Sequence, residues 1–92
     1  MRKTIYSRES RLVSDLIREV REARGLTQTQ LALRIGMRQN DISKMENGAR
    51  RIDYVELRHL LQALDFDVRS FEILFRERLP IRAEMRTKTA VF

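Results

Sequence analysis

Apolar residues recur at helical spacing through most of this chain. The first such segment places four of them on one helix face, at i, i+3, i+4 and i+7: Val13, Leu16, Ile17 and Val20. Ser10 is the predicted N-cap of this helix, and Gly25, after Arg24, is its predicted terminator. Residues 1–9 are left as an N-terminal arm.

Two more helices are predicted in the second half of the chain. Asp53, with Glu56 three residues later, makes an acidic, capped start for a helix over about residues 54–64. A shorter helix follows over residues 68–79, with Asp67 or Ser70 as its cap. The aromatic residues of this last segment exceed what one small core needs.

Residues 28–47 predict two short helices joined by a tight turn. Leu31 and Ile35 share one face of the first of them. Gly36 takes the left-handed conformation without a Cβ penalty and therefore ends that helix. The next helix begins near Met37 and crosses the first at a steep angle, which is the pattern of a helix-turn-helix.

The second of these short helices turns a polar face outward, formed by Gln39, Asn40, Ser43, Lys44 and Asn47. A helix with such a face can lie in the DNA major groove and hydrogen-bond to base edges. Gln39 and Asn40 are the first candidates for base reading because a side-chain amide can pair with the N6 and N7 edge of adenine. One turn further along, Ser43 can reach a base and Lys44 a base or a phosphate. An ordinary solvated face is the competing interpretation.

This stretch resembles the Cro/CI or XRE-like family of phage-repressor helix-turn-helix proteins. The family has a Gln at the start, a small residue, a turn Gly, a buried Ile and a closing Glu-Asn-Gly, matched here by Gln28, Ala32, Gly36, Ile42 and Glu46-Asn47-Gly48. The resemblance spans about residues 11–75. It implies an all-α, five-helix lambda-repressor-like domain, which we place at residues 10–79.

The resemblance also implies roles for single residues. Gln28 would lie against the phosphate backbone and brace Gln39, a use the family often makes of this position. Arg21 and Glu46 would form a buried ion pair with a structural role and no DNA contact. The full set assigned to the DNA backbone is Gln28, Thr29, Arg38, Asn47, Arg50 and Arg51. For Arg50 and Arg51, an ordinary solvated surface is an equal alternative.

Arg38 departs from the family pattern. The family commonly has Ser or Thr there as the cap of the reading helix, and an arginine cannot accept from free backbone N–H groups. Either the cap is lost, or Asp41 compensates from the first turn while Arg38 contacts DNA. For Asp41 itself, interaction with the helix dipole is favoured over acceptance of a hydrogen bond from cytosine N4.

Composition indicates one small basic domain. The 92 residues carry 19 Lys and Arg against 13 Asp and Glu, a net charge of +6, and no cysteine. The basic excess lies in residues 1–52, whereas residues 53–79 carry four basic and six acidic groups. A polyanion such as double-stranded DNA on the helix-turn-helix side fits this asymmetry.

We expect neither membrane contact nor enzymatic chemistry. The sequence has no secretory signal and no apolar run that approaches the roughly 20 residues of a membrane span. We therefore expect a cytoplasmic protein that associates with the nucleoid by binding DNA. His59 is the only histidine, and no Asp/Glu cluster has metal-ligand spacing. No Gly-rich phosphate loop or Ser-His-Asp arrangement is present. No catalytic residue, metal or cofactor is therefore predicted.

A symmetric homodimer on an inverted repeat is expected, because one reading helix alone would bind DNA weakly. The last helix supplies the candidate interface, formed by Phe66, Val68, Phe71 and Phe75. The competing interpretation is that these residues complete the core. We expect a split, with Leu74 and one phenylalanine inside and the others facing a partner.

The two ends of the chain carry a strand-like pattern. After Pro80, apolar or small residues alternate with mostly charged ones over residues 81–91. Residues 3–6 also look extended, so short β segments formed by 1–9 and 80–92 are one interpretation. A disordered tail is the other.

The sequence as a whole predicts a sequence-specific repressor or autoregulator of bacterial or phage type. Two alternatives keep the same chemistry: an antitoxin that represses its own operon and covers a toxin with its tail, or a small controller from a phage or restriction system. An alternative of another class is a protein-interaction module that keeps the fold without specific DNA binding.

Overall fold

The computed structural model describes the backbone of residues 5–79 and the side chains of residues 8–79. Five helices follow one another there: α1 (Ile5–Ala23), α2 (Gln28–Ile35), α3 (Gln39–Glu46), α4 (Tyr54–Ala63) and α5 (Val68–Arg78). This part of the chain contains no strand. The predicted all-α, five-helix class is therefore confirmed. None of the five helices has both the length and the apolar composition needed to cross a membrane.

The first helix begins earlier than predicted. Residues 5–9 already belong to α1, so Ser10 is not its N-cap, and the extended arm is wrong for this segment. Residues 8–11 are mostly exposed. Helical turns that do not pack on the core have no apolar stripe, so the sequence pattern does not reveal them as helical. The helix continues there because each added residue gains a backbone hydrogen bond. Residues 1–4 and the strand predicted after Pro80 lie outside the described residues.

The core is built from one apolar face of each helix. Its buried members are Leu16, Ile17, Val20, Leu31, Ala32, Ile42, Met45, Leu60, Leu61, Leu64 and Phe71. α2 packs against α3 and α4, while α1 packs against α3 and α5. Burying one large apolar side chain stabilises a fold by about 1.5–3 kcal/mol. Since α2 and α3 have only eight residues each, this packing rather than intrinsic propensity holds them helical.

Local hydrogen bonds fix both ends of α2. The Thr27 hydroxyl accepts from the backbone N–H of Gln30 at 3.1 Å, and the Gln30 side chain accepts from the Thr27 N–H at 2.8 Å. This reciprocal capping box satisfies two N–H groups that the helix itself cannot pair. At the other end Gly36 has φ +70° and its N–H donates to the Ala32 carbonyl. The turn predicted at Gly36 is confirmed.

The acidic caps predicted for the last two helices are also present. Asp53 accepts from the Glu56 N–H at 2.8 Å, and Glu56 accepts from the Asp53 N–H at 3.1 Å. At the start of α5, Asp67 accepts from the backbone N–H of Ser70 at 3.2 Å. Of the two predicted caps for α5, Asp67 is therefore the correct one.

Arg24 holds the turn between α4 and α5 against the end of α1. Its guanidinium donates to the carbonyls of Leu64 and Asp65 at 2.8 and 2.7 Å. It also lies over the Phe66 ring, 5.9 Å from the ring centroid, a distance at which a cation is attracted to the ring face. Phe66 is thus partly covered within one chain.

The apolar residues of α5 divide between core and surface. Phe71 is only 4% exposed and belongs to the core, whereas Leu74 and Phe75 are half-buried and Val68 is exposed. The assignment of Phe71 to a dimer interface is therefore wrong, because its ring is already enclosed by α1 and the other helices. Val68 and the half-buried pair Phe66 and Phe75 keep surface that a partner could cover.

The start of α3 lacks a side-chain cap. Arg38 occupies the N-cap position with extended backbone, and its side chain accepts no hydrogen bond. Its Nε instead lies 3.4 Å from Asp41 Oδ2. The side-chain cap is therefore absent, and Asp41 lies in the first turn beside Arg38 as the predicted compensation requires; the DNA contact of Arg38 stays a prediction.

Replacing Arg38 with serine is expected to raise the free energy of unfolding by about 0.5–1 kcal/mol, because a hydroxyl can accept from the free N–H groups of the first turn. Urea denaturation followed by circular dichroism measures this. The control is Arg38→Ala, which removes the same contacts but supplies no acceptor. An equal gain in both variants would show that capping is not the cause.

Candidate nucleic-acid interface

α3 presents two different faces. Ile42 and Met45 are fully buried against the rest of the core. On the other side Gln39, Asn40 and Lys44 are exposed and Ser43 is half-buried. All four residues predicted to read bases therefore lie on or beside the outer face of one helix.

The Gln39 side chain is hydrogen-bonded to Gln28, which is itself hydrogen-bonded to the buried Glu46. Its Nε2 donates to Gln28 Oε1 at 2.6 Å, and Gln28 Nε2 donates in turn to Glu46 Oε1 at 3.0 Å. The predicted bracing of Gln39 by Gln28 is present in this geometry. Within the described residues, no further bond engages the Gln39 amide, so its oxygen and its second N–H stay available.

Glu46 is also the anchor of a buried ion pair with Arg21. Arg21 Nε and Nη2 donate to the two carboxylate oxygens at 2.6 and 2.9 Å, and Nη1 donates to the Leu26 carbonyl at 2.7 Å. Arg21 is 7% and Glu46 2% exposed. The hydrogen bonds to Glu46 raise the pKa of Arg21 above its ordinary value, against the opposing effect of burial. The ion pair implied by the family resemblance is therefore formed, with the bidentate geometry that suits a desolvated pair.

These contacts form one continuous chain from α1 to the outer face of α3. Arg21 holds Glu46, Glu46 holds Gln28, and Gln28 holds Gln39. The sequence and its resemblance implied the first and last links, whereas the bond from Gln28 to Glu46 was not predicted. Because each side chain is hydrogen-bonded to the next, the buried ion pair restricts the positions open to Gln39, although the last bond, from Gln39 to Gln28, is exposed to solvent.

Residues assigned to the DNA backbone occupy different environments. Thr29, Arg38 and Arg51 are exposed, which leaves them free to reach a phosphate. Burial acts to raise the pKa of Asp41, but its hydrogen bonds with Arg38 outweigh this and leave that pKa below its ordinary value. The Asp41 carboxylate therefore stays charged in the first turn of α3, where the helix dipole favours it.

Asn47 has a local structural contact that the sequence did not predict. Its side-chain oxygen accepts from the Ala49 N–H at 2.9 Å, and its carbonyl accepts from Arg11 Nη1 at 2.5 Å. Gly48 follows with φ +83°, and a Cβ there would lie 2.6 Å from that same Arg11 nitrogen. The left-handed φ favours glycine, and a larger residue would also displace the Arg11 guanidinium from the Asn47 carbonyl.

Arg50 has a partner within the chain that the sequence did not predict. Its Nη2 donates to Glu56 Oε2 at 2.7 Å, a contact that raises the pKa of Arg50 against the effect of burial. The side chain is half-buried, and Nη1 has neither solvent contact nor an acceptor among the described residues. Arg50 is therefore drawn toward the start of α4 and is not an ordinary solvated arginine; its contact with a DNA phosphate stays a prediction.

The described residues contain no cluster of candidate metal ligands. Across the described residues, no three His, Cys, Asp or Glu side chains are arranged to hold an ion. His59 is exposed on α4.

Arg21→Met is expected to lower the free energy of unfolding by about 3–5 kcal/mol, because it leaves the Glu46 carboxylate buried without its cation. Urea denaturation measures the loss. The control is Arg78→Met, which breaks the exposed Arg78–Glu19 pair and should lower the free energy of unfolding far less, because solvent screens an exposed pair. Comparable losses in the two variants would contradict the central role of the buried pair.

Comparison with known proteins agrees with this geometry. A family model described as helix-turn-helix matches residues 17–71. A solved XRE-family like protein from Pseudomonas syringae pv. tomato str. DC3000 is 32% identical and superposes with a TM-score of 0.75, covering 83% of this chain and 93% of that chain. No curated protein matches the sequence. The chain therefore belongs to the XRE family of helix-turn-helix, DNA-binding regulators.

Proposed function

We propose that this protein is a sequence-specific transcriptional repressor or autoregulator that binds an inverted-repeat operator as a homodimer. Helix α3 of each subunit lies in the major groove in this proposal. The observation that carries it is the braced Gln39 on the outer face of α3, because a side chain held in place before binding loses little entropy on binding. We propose no enzymatic activity, in keeping with a family of DNA-binding regulators.

The free groups of Gln39 match one base edge. Gln28 occupies one amide N–H of Gln39, which leaves one acceptor oxygen and one donor N–H. Adenine presents the complementary pair in the major groove, an N6 donor beside an N7 acceptor. Asn40 carries the same amide chemistry at the next position and is exposed. We therefore assign sequence preference to these two residues, with Ser43 and Lys44 extending the contact along α3.

A positive rim around α3 supports contact with the phosphate backbone. Arg38 precedes the helix with a side chain that is 84% exposed, and Arg51 follows the helix and is also exposed. Thr29 and Gln28 lie at the start of α2, where free backbone N–H groups favour an anion. Such contacts position the protein without reading sequence, and their release of counterions makes binding fall steeply with salt.

Steric occlusion of the promoter is the proposed mechanism of repression. Two reading helices related by a two-fold axis would contact half-sites about 34 Å apart, one helical turn of DNA. For the dimer surface we propose exposed Val68 with the half-buried Phe66 and Phe75, while Phe71 stays in the core.

Selection from a randomised duplex pool at near-physiological salt tests the DNA-binding proposal. The retained DNA should contain an inverted repeat with half-sites about one helical turn apart. On that site Gln39→Ala should cost about 1–3 kcal/mol of binding free energy, and on random duplex little, because it removes a base contact alone. The matched variant is Lys44→Ala, which should weaken binding to both duplexes because it removes a positive charge.

Equal losses on both duplexes for Gln39→Ala would remove its assignment as a base reader. A folded protein that enriches no sequence would favour the alternative of a protein-interaction module, and capture of partners in the native host would then be the next step.

Val68→Glu is expected to shift the protein from dimer toward monomer in sedimentation velocity, because it places a charge in an apolar interface. The control is Val55→Glu on α4, which alters an equally apolar residue that is 62% exposed but lies outside the proposed surface. Dissociation by the Val55 variant instead would move the interface to the start of α4.

A further inference from the structure

A cavity of about 380 Å³ lies between the first half of α1 and the loop that joins α3 to α4. Its volume falls within the range of about 300–1,000 Å³ that is typical of small-molecule sites. The base-reading residues of α3 do not line it. It is therefore a separate feature from the outer face of α3.

The polar lining of the cavity is basic. Arg11, Arg50 and Arg51 line it together with the hydroxyl residues Ser10 and Ser14, and no carboxylate is among the lining residues. Arg11 is partly engaged, since it donates to the Asn47 carbonyl and lies 3.4 Å from Asp15. Arg51 is exposed. Arg50 is engaged as well, by Glu56 at 2.7 Å, so Arg51 is the lining arginine without a carboxylate partner among the described residues.

Two buried polar groups at the cavity lack good partners. Arg50 Nη1 has no solvent contact and no acceptor among the described residues. Ser14 is only 4% exposed, and its hydroxyl makes a single long contact of 3.5 Å with the Ser10 carbonyl. Buried polar groups are nearly always paired, so the hydrogen bonding of Arg50 and Ser14 is incomplete in this wall. Arg50 Nη1 is enclosed and could meet a ligand oxygen only after its side chain shifts.

We propose that this cavity binds a small molecule that carries a phosphate or a comparable oxyanion group. Guanidinium groups pair with phosphate oxygens in a fork geometry, and the Ser14 hydroxyl can donate to another oxygen. Val13 and Ile52 supply apolar wall for the rest of the molecule. A phosphate of the DNA backbone has the same chemistry, and the test separates the two sources.

The test is a titration of the full chain with pyrophosphate, followed by ¹H–¹⁵N NMR at constant ionic strength and without DNA. The expected result is saturable shifts confined to the amides of residues 10–14 and 48–52. Arg50→Gln should weaken the affinity by roughly tenfold or more, because it removes charge-assisted hydrogen bonds. Arg51→Gln should weaken it severalfold, and since Arg51 is exposed this variant decides the matter if Arg50→Gln does not fold. The control Arg69→Gln, an exposed arginine of α5, should bind as the parent does.

Shifts that do not saturate, that spread over the surface or that show the same affinity in the Arg51→Gln variant as in the parent would overturn the proposal. A parallel titration with random duplex separates the two phosphate sources: shifts of these amides with the duplex but not with pyrophosphate would also overturn the proposal, because the arginines would then serve the DNA backbone. The pyrophosphate titration contains no DNA, so its failure would leave the proposed function untouched.

Discussion

The buried ion pair between Arg21 and Glu46 joins the first helix to the end of the third. Two opposite charges removed from water are costly, and the cost is offset only when geometry and additional hydrogen bonds are good. Here the carboxylate receives two bonds from Arg21 and one from Gln28, while the remaining arginine nitrogen donates to the Leu26 carbonyl. The pair therefore has few alternative arrangements, and it fixes how α3 sits against α1.

The position of the exposed face of α3 depends on these buried contacts. Eight-residue helices are marginal on their own, so α2 and α3 depend on their buried faces, on the capping box at Thr27 and on the tight turn at Gly36. The far end of α3 is fixed separately, by Arg11 against Asn47 and Gly48. In the proposed complex with DNA, the outer face of α3 would be largely formed before binding, which reduces the entropy lost on binding.

The arginines near α3 differ in exposure and in their partners. Basic residues around α3 are exposed where a phosphate could meet them, as at Arg38 and Arg51. Arg50, one position from Arg51, is instead drawn inward by the capping carboxylate Glu56. Both arginines line the cavity between α1 and the loop, but Arg51 keeps its charge at the surface whereas Arg50 is held by Glu56.

The sequence by itself determined the features that depend on near neighbours. Helical periodicity, the turn at Gly36 and the cap at Asp53 act over a few residues, so they could be predicted. Tertiary structure alone decided which similar residues are buried and which long-range partners meet. Phe71 is enclosed and Val68 exposed because α5 turns one face toward α1. Likewise Gln28 reaches Glu46 across 18 positions of sequence only because α2 and α3 pack together, and no local pattern encodes that distance.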